Sequence, residues 1–587
     1  MLGRSDRLDI DPSDRYRRPA RACHHRPMIV DLANADLREL PPYDVAIIGS
    51  GPAGGTVAAE LADSGLRVCV LESGRMRRTK HADALKEVVS TGLPIKEYSR
   101  ERVLGGASTT WAGLSAPLDP IDMVERPWLD APGWPIDRSE LEPFWEQAAE
   151  RFQFPTANDF GPEGFGALRD RGRATPRFDG LEEKVFMACD EPQRFGKLLR
   201  PLYESEAVDL YLDASVTALV GDGERGRIAS ARVRTSSGRD LRVTARHFVI
   251  GCGGLENARL LLLSRDLCQE GLGNEHDQVG RYLMNHPKNY HGELELTEPV
   301  TSWPYLFGCL YSGFAGYAGL RLTEERQREL SILNSYVRFE PLFPWSGDTG
   351  VESAVLLAKR SVIALKALKA KQSAGQVVEL RDYSETGDDT DLQNARKSVL
   401  DWVGVGWNVV ANAPSVTKYA YHRLSKVAPK VRRVRLRNFM EMEPDASNRV
   451  TLDDRVDVLG SALPHVRHET TELDRRSLVE LHRALAPAFE AEGLGRLVSD
   501  LEGQPEWPIT QDASHHLGTT RMGVDPRHSV TDSEGRLHSV PNVTMAGGSL
   551  FPTSGCANPT FTIVALSIRI AQRLRRDLEV REEVPRT

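Results

Sequence analysis

The stretch "YDVAIIGSGPAGGTVAAELADSGLRVCVLESG", residues 43–74, restricts the fold more than any other part of the chain. Four apolar residues, Val45 to Ile48, run into a glycine-rich turn, an Ala-rich helix over about 53–64, and a second apolar run, Val68 to Leu71, ending in Glu72. Strand, turn, helix and parallel strand make a βαβ unit, which places the turn at the carboxyl end of a sheet. The turn spells Gly49-x-Gly51-x-x-Gly54. The first glycine permits the tight turn, the second lets the backbone approach a pyrophosphate, and the third lets helix pack on strand. With Pro52 and Ala53 opening the helix, its N-terminal N–H groups face the phosphates. Glu72, with Ser73 after it, stands where an acid accepts hydrogen bonds from the adenosine ribose. A glycine turn alone also occurs without a ligand; the complete unit reads as dinucleotide binding and leaves NAD and FAD open.

A second strand, glycine turn and helix recurs in "HFVIGCGGLENARLLLLS" (247–264), with Gly251 and Gly253 in the turn. The intervening pieces "VDLYLDASVTALV", "RIASARVRT" and "DLRVTARHFVIG" read as strands separated by Gly/Asp turns. Near the C-terminus, a strand (Val543 to Ala546) and the Gly547-Gly548-Ser549 turn precede Asn558-Pro559-Thr560, which opens a long apolar helix. Asn caps helices and Pro is favoured at their first position, so this start is well signalled. Its positive end suits a group that becomes anionic. The dinucleotide unit is therefore assembled from separated segments.

Elsewhere, "GWPIDRSELEPFWEQAAERF" (133–152) reads as a helix capped by Asp137 or Ser139. Strand-like pieces (292–297, 333–340, 435–442) flank a region with two helical patterns, 351–371 and 391–410, separated by a polar loop. The basic tract Lys426 to Arg437 reads as a charged, solvated strand edge, with an acidic partner or lipid headgroups as the alternative. A net charge of −8 gives no electrostatic reason to expect nucleic acid, and no apolar run is long enough to span a membrane. Seven scattered cysteines suggest a reducing cytoplasm. The Arg-rich first 27 residues lack the apolar stretch of an export signal, are expected to be poorly ordered, and leave Met28 as an alternative start.

Together with "GGASTTW", "QVGRYLMNHP" (278–287), "NRVTLDDRVDVLG" (448–460), "HHLGTTRMG" and "PTSGCANPTFTIVAL", these motifs make the chain resemble the glucose-methanol-choline (GMC) family of FAD-dependent alcohol oxidases and dehydrogenases. Within it, the chain is most similar to the pyranose oxidase, bacterial glycoside oxidase and sugar dehydrogenase branch. The resemblance implies an α/β fold, α+β overall: a discontinuous Rossmann-like FAD-binding domain (41–130, 205–290 and 510–577) after an N-terminal extension (1–40). A substrate-binding domain (131–204 and 291–509) would carry a large mixed or antiparallel sheet, with a helical insertion at about 350–430. It also implies that His515 is the catalytic base and Asn558 its partner. In an extended segment adjacent side chains point to opposite sides, so only one of His515 and His516 would face the flavin.

The cofactor-binding set implied is Gly49, Gly51, Pro52, Ala53, Gly54, Glu72, Ser73, Gly105, Gly106, Ser108, Thr110, Val216, Gly251, Gly253, Gly548, Ser549, Pro559 and Thr560, with no metal. Thr110 stands where pyranose oxidases carry the histidine that bonds to the flavin, so the FAD is expected to be non-covalent. The chemistry implied is oxidation of a primary or secondary hydroxyl of a sugar or glycoside, with proton abstraction by His515 and hydride transfer to flavin N5. Electrons then pass to dioxygen or a separate acceptor, and the oligomeric state is open. An aminoglycoside or a non-sugar alcohol suits the same motifs, and so does a non-redox lyase of hydroxynitrile-lyase type. A nicotinamide-dependent reductase or plain nucleotide-binding protein would lack the C-terminal motifs. Trp303, Tyr305, Phe307 and Trp345 either stack on a pyranose face or belong to the core or a subunit contact.

Overall fold

The computed structural model describes residues 29–583 except 36, 38, 97–98, 162–164, 167–177, 190–191, 302, 307–309, 312–313, 359–398, 426 and 505–513. The N-terminal 28 residues, most of the first helical pattern and the polar loop after it lie outside the described residues.

The first sheet has the order 29–31, 209–212, 68–72, 43–48, 240–250, 227–234, 215–222, with 543–545 beside 240–250. Tyr43–Ile48 and Val68–Glu72 are almost wholly buried, as expected of parallel strands covered on both faces. The strand Asp240–Ile250 does two jobs. Its first half pairs antiparallel with 227–234, and its second half pairs parallel with 43–48 and with 543–545. Both glycine turns and the Gly547-Gly548 turn therefore leave adjacent strands at the same sheet end. The helices Pro52–Leu61 and Thr560–Glu583 pack together, and Arg138–Phe152 packs on the latter. There Trp145, fully buried, stacks on Phe561 and donates to Thr562 Oγ1 at 3.3 Å. The cap of Arg138–Phe152 is Asp137, in a capping box with Glu140.

The second sheet is antiparallel, in the order 495–498, 293–300, 431–439, 336–342, 314–322, 181–189, 114–115, with 288–289 added beside 431–439. The segment 131–204 thus contributes the helix Arg138–Phe152 to the layer over the first sheet and the strand Leu181–Cys189 to the second.

The basic tract is not a sheet edge. Val431–Phe439 is an interior strand, bonded to 293–300 on one side and 336–342 on the other. Its arginines are tolerated there because acids on the neighbouring strands meet them: Arg433 pairs with Glu293, and Arg435 and Arg437 with Glu340. A third, three-stranded sheet (449–456, 462–468, 89–92) completes the frame.

Candidate active site

The strand ends enclose a cavity of about 420 Å³. Its floor is the first glycine turn. Gly49 has φ of +97°, and a Cβ there would lie 2.7 Å from the Gly251 carbonyl, so the two glycine turns need each other bare. At Gly51 the space is open, since a Cβ would find nothing nearer than Gly106 Cα at 4.0 Å. Backbone is therefore exposed where a pyrophosphate would approach, beside the N-terminal N–H groups of Pro52–Leu61. Glu72 lines the cavity beside this turn: its carboxylate accepts from Ser50 N and Oγ (3.1 and 2.6 Å) and Gly74 N (2.8 Å), and burial raises its pKa. Ser50 Oγ in turn accepts from Gly105 N at 3.0 Å, which ties the "GGAST" loop to the first turn.

Of the residues expected at a cofactor, Gly49, Gly51, Pro52, Ala53, Glu72, Ser73, Gly106, Ser108, Thr110, Val216, Gly251, Gly253, Gly548, Pro559 and Thr560 line this cavity. Gly54, Gly105 and Ser549 stand behind the wall. A Cβ on Gly54 would lie 2.0 Å from the Gly49 carbonyl, and one on Gly105 2.3 Å from Gly196 N. The Ser549 hydroxyl is engaged with Asn257 Nδ2 and Thr520 Oγ1 (2.8 and 2.7 Å).

The opposite wall is the "SHHLGTTRMG" segment. It runs along Gly548–Leu550 through Gly518 N to Gly548 O, Thr520 N to Ser549 O and Met522 N to Leu550 O. On its other side Met284 and Leu517 exchange backbone bonds (3.1 and 3.0 Å), bringing "MNHP" against "HHLG". Gly518 is bare because a Cβ would lie 2.2 Å from the Tyr282 carbonyl. His515, Asn558 and His516 all contribute to the cavity lining. The chain here is not a regular strand, and Ser514 has φ of +64°. The His515 Nδ1 lies 2.7 Å from His286 Nδ1, whereas His516 packs on Gly254 with its Nε2 buried and unpartnered. Burial, reinforced by His286, Lys288 and His516, holds the His515 pKa well below the ordinary value, and burial beside Arg100 takes His516 down to about 3. Both rings are neutral at pH 7.

The C-terminal helix starts at Thr560, the Pro559 carbonyl accepting from Ile563 N at 2.8 Å. The Asn558 side chain is not used as a cap among the described residues and lies at the cavity wall.

Two family patterns match the chain: "FAD dependent oxidoreductase" over residues 44–300 and "GMC oxidoreductase" over 444–567. The first spans both glycine turns; the second spans His515 and Asn558. The chain carries an FAD oxidoreductase domain and a GMC oxidoreductase C-terminal domain. The chain is 23% identical over 586 residues to paromamine 6'-oxidase of Streptomyces fradiae, covering 91% of this chain and 92% of the other. It is 28% identical over 346 residues to the fructose dehydrogenase large subunit of Gluconobacter japonicus, covering 58% and 48%. A crystal structure of formate oxidase shares the fold, with a TM-score of 0.52 at 16% identity, covering 92% of this chain and all of the other. The protein is an FAD-dependent oxidoreductase.

The site also contains residues that sequence reasoning passed over. The second sheet sends Lys288, Arg437 and Phe439 into the cavity wall. On the dinucleotide side, Arg100 and Arg102 meet Glu256 at 2.7 and 2.9 Å. Burial raises the Glu256 pKa, but Arg102, Arg259 and Arg100 outweigh it and bring it to about 2. His286 stood inside a quoted motif without a role, and its only signal was the His-Pro step beside the histidine pair. The aromatics Trp303, Tyr305 and Trp345 are not at the site. All three are buried away from the cavity: Trp303 lies edge-on to Tyr305, Tyr305 donates to Glu183, and Trp345 stacks on Phe343 beside Tyr419 and His422. Phe307 lies outside the described residues.

Proposed function

We propose that this FAD-dependent oxidoreductase oxidises a primary or secondary hydroxyl of a neutral sugar or glycoside to a carbonyl, with His515 as the base and Asn558 orienting the oxygen. The observation that carries the reading is that a neutral imidazole and a side-chain amide share one cavity with the open glycine cradle. Bound FAD supplies the two-electron acceptor. Gly51, Ala53 and Gly253 would hold its phosphates through backbone, Glu72 its ribose, and Gly548 and Thr560 the ring end; Thr110 offers no histidyl link. The substrate hydroxyl gives its proton to the imidazole, an effect typically worth 10²–10⁴-fold. The Asn558 amide donates to the oxygen, fixing the carbon-bound hydrogen toward the acceptor.

An amine-bearing sugar is the second reading, favoured by the near full-length similarity to paromamine 6'-oxidase. The charge at the wall argues against it: Lys288 lines the cavity and is close enough to help lower the His515 pKa, whereas Arg437 in the same wall is paired with Glu340. A cationic substrate would be repelled there. Either dioxygen or a separate acceptor reoxidises the flavin. No described helix is long and apolar enough to cross a membrane, and we place the protein in the cytoplasm on its scattered thiols. The deciding experiment offers neutral sugars, glycosides and amino sugars anaerobically, following loss of flavin absorbance, and then measures peroxide in air. Bleaching by neutral sugars is expected; an enzyme that stays oxidised with all of them, or reacts only with amino sugars, overturns the reading.

A further inference from the structure

We propose that His286 fixes the tautomer of His515, so that the nitrogen left bare for the substrate is Nε2. The inference rests on His515 being the base and adds which atom acts and what selects it. His286 Nε2 lies 2.8 Å from the Gly555 carbonyl. A carbonyl has no hydrogen to give, so His286 Nε2 must carry the proton of that bond. A neutral imidazole has only one N–H, which leaves His286 Nδ1 as an acceptor. Its partner at 2.7 Å is His515 Nδ1, which therefore donates and carries the only hydrogen of the His515 ring. The opposite tautomer would set two lone pairs face to face at that distance.

The condition is that His286 stays neutral. It is 2% exposed, and burial takes its pKa down to about 4; Glu441 and the contacts to Gly555 and Ser554 pull the other way and do not prevail. The charged and titratable groups facing the pair are Lys288 from the adjoining strand, His516 from the same segment, and Glu441 beneath the Gly555 loop. Lys288 and His516 both disfavour protonation of His515.

The scaffold holds the pair in place. Asn285 Oδ1 accepts from both His286 N and His515 N, at 2.8 and 2.9 Å. Glu441, doubly bonded to Arg126, accepts from Gly555 N at 3.2 Å and so fixes the carbonyl that orients His286. His286 is thus a positioning residue acting through His515.

The test is ¹⁵N NMR of the histidine-labelled holoenzyme, with His515 assigned by loss of its signals in His515→Asn. The expected result is a protonated His515 Nδ1 coupled to His286 Nδ1 and a bare Nε2; a protonated Nε2 on neutral His515 overturns the proposal. Kinetics supply a second arm. His286→Leu should lower the flavin-reduction rate at least about 10-fold, short of the 10²–10⁴-fold of losing the base, with KM within about twofold and FAD content unchanged. His286→Gln, whose amide can donate to Gly555 and accept from His515, should recover most of that rate. Wild-type rates in His286→Leu, or equal losses in both variants, refute the tautomer lock and leave the base assignment standing. Wild-type reduction in His515→Ala sinks the base assignment and this proposal with it.

Discussion

Two glycines three residues apart in the first turn should fail in opposite ways. A Cβ on Gly54 would lie 2.0 Å from the Gly49 carbonyl and 3.2 Å from Ile47 Cγ2. The carbonyl is backbone and cannot rotate away, so the helix must retreat from the strand by well over an ångström. Overpacking costs about 1–3 kcal/mol and sometimes more, and Gly54→Ala should sit at the upper end. Gly51 is different. Its φ of −68° is open to any residue, and its Cβ meets only Gly106 Cα at 4.0 Å. The lost preference for glycine at the helix cap and the reduced freedom of the unfolded chain each amount to less than about 1 kcal/mol and have opposite signs. The methyl occupies the cavity instead, where pyrophosphate would meet backbone. Gly51→Ala should leave the thermal unfolding of the FAD-free protein unchanged and weaken FAD by about 2 kcal/mol, some 30-fold in Kd. Gly54→Ala should lower the unfolding temperature before any cofactor is added. Flavin titration and calorimetry of the FAD-free proteins separate the two effects. Wild-type FAD affinity in Gly51→Ala, or a destabilised FAD-free Gly51→Ala beside a stable Gly54→Ala, would refute the reasoning.

His515→Ala should cost 10²–10⁴-fold in anaerobic flavin reduction, whereas His516→Ala should cost far less; stopped-flow spectroscopy reads both, and the inverse order transfers the base to His516. Because the His515 pKa is depressed, its neutral form persists as pH falls through 6.5. The reduction rate should therefore show no inflection at the ordinary histidine pKa and fall only below it; an acid limb centred at 6.5 contradicts this. Arg126 and Glu441 are both wholly buried, bonded at 2.8 and 2.6 Å, so Arg126→Met strands a carboxylate and should cost about 3–5 kcal/mol in thermal unfolding. Lys288→Glu should raise kcat/KM for amino sugars relative to neutral ones; an unchanged ratio removes Lys288 from selectivity.

The dinucleotide half of the molecule was legible because its signals are local. Gly49 and Gly251 are bare for a reason written in the backbone, a tight turn facing another tight turn, and the pattern of strand, glycine and helix declares itself within thirty residues. The start of the C-terminal helix was legible to within a residue for the same reason: Asn-Pro-Thr can begin little else. The second sheet was not. Val431–Phe439 alternates arginine with apolar residues, and a single strand gives no sign of which acids will flank it. Only the registers that oppose Arg435 to Glu293 and to Glu340 show that three arginines can lie in the middle of a sheet.

The same limit applies, more sharply, at the histidines. The sequence holds "HH" as an ambiguity, since two adjacent imidazoles carry identical chemistry. What separates them is a partner 229 residues away, delivered by the Met284 and Leu517 backbone bonds. Those bonds require the glycine at 518, which the structure explains by the Tyr282 carbonyl. His515 has a ring nitrogen already spoken for, while the buried Nε2 of His516 has no partner among the described residues. A base needs one nitrogen protonated and held so that the other stays bare and aimed. On the proposal above His515 meets that requirement through His286, while among the described residues no partner holds the tautomer of His516.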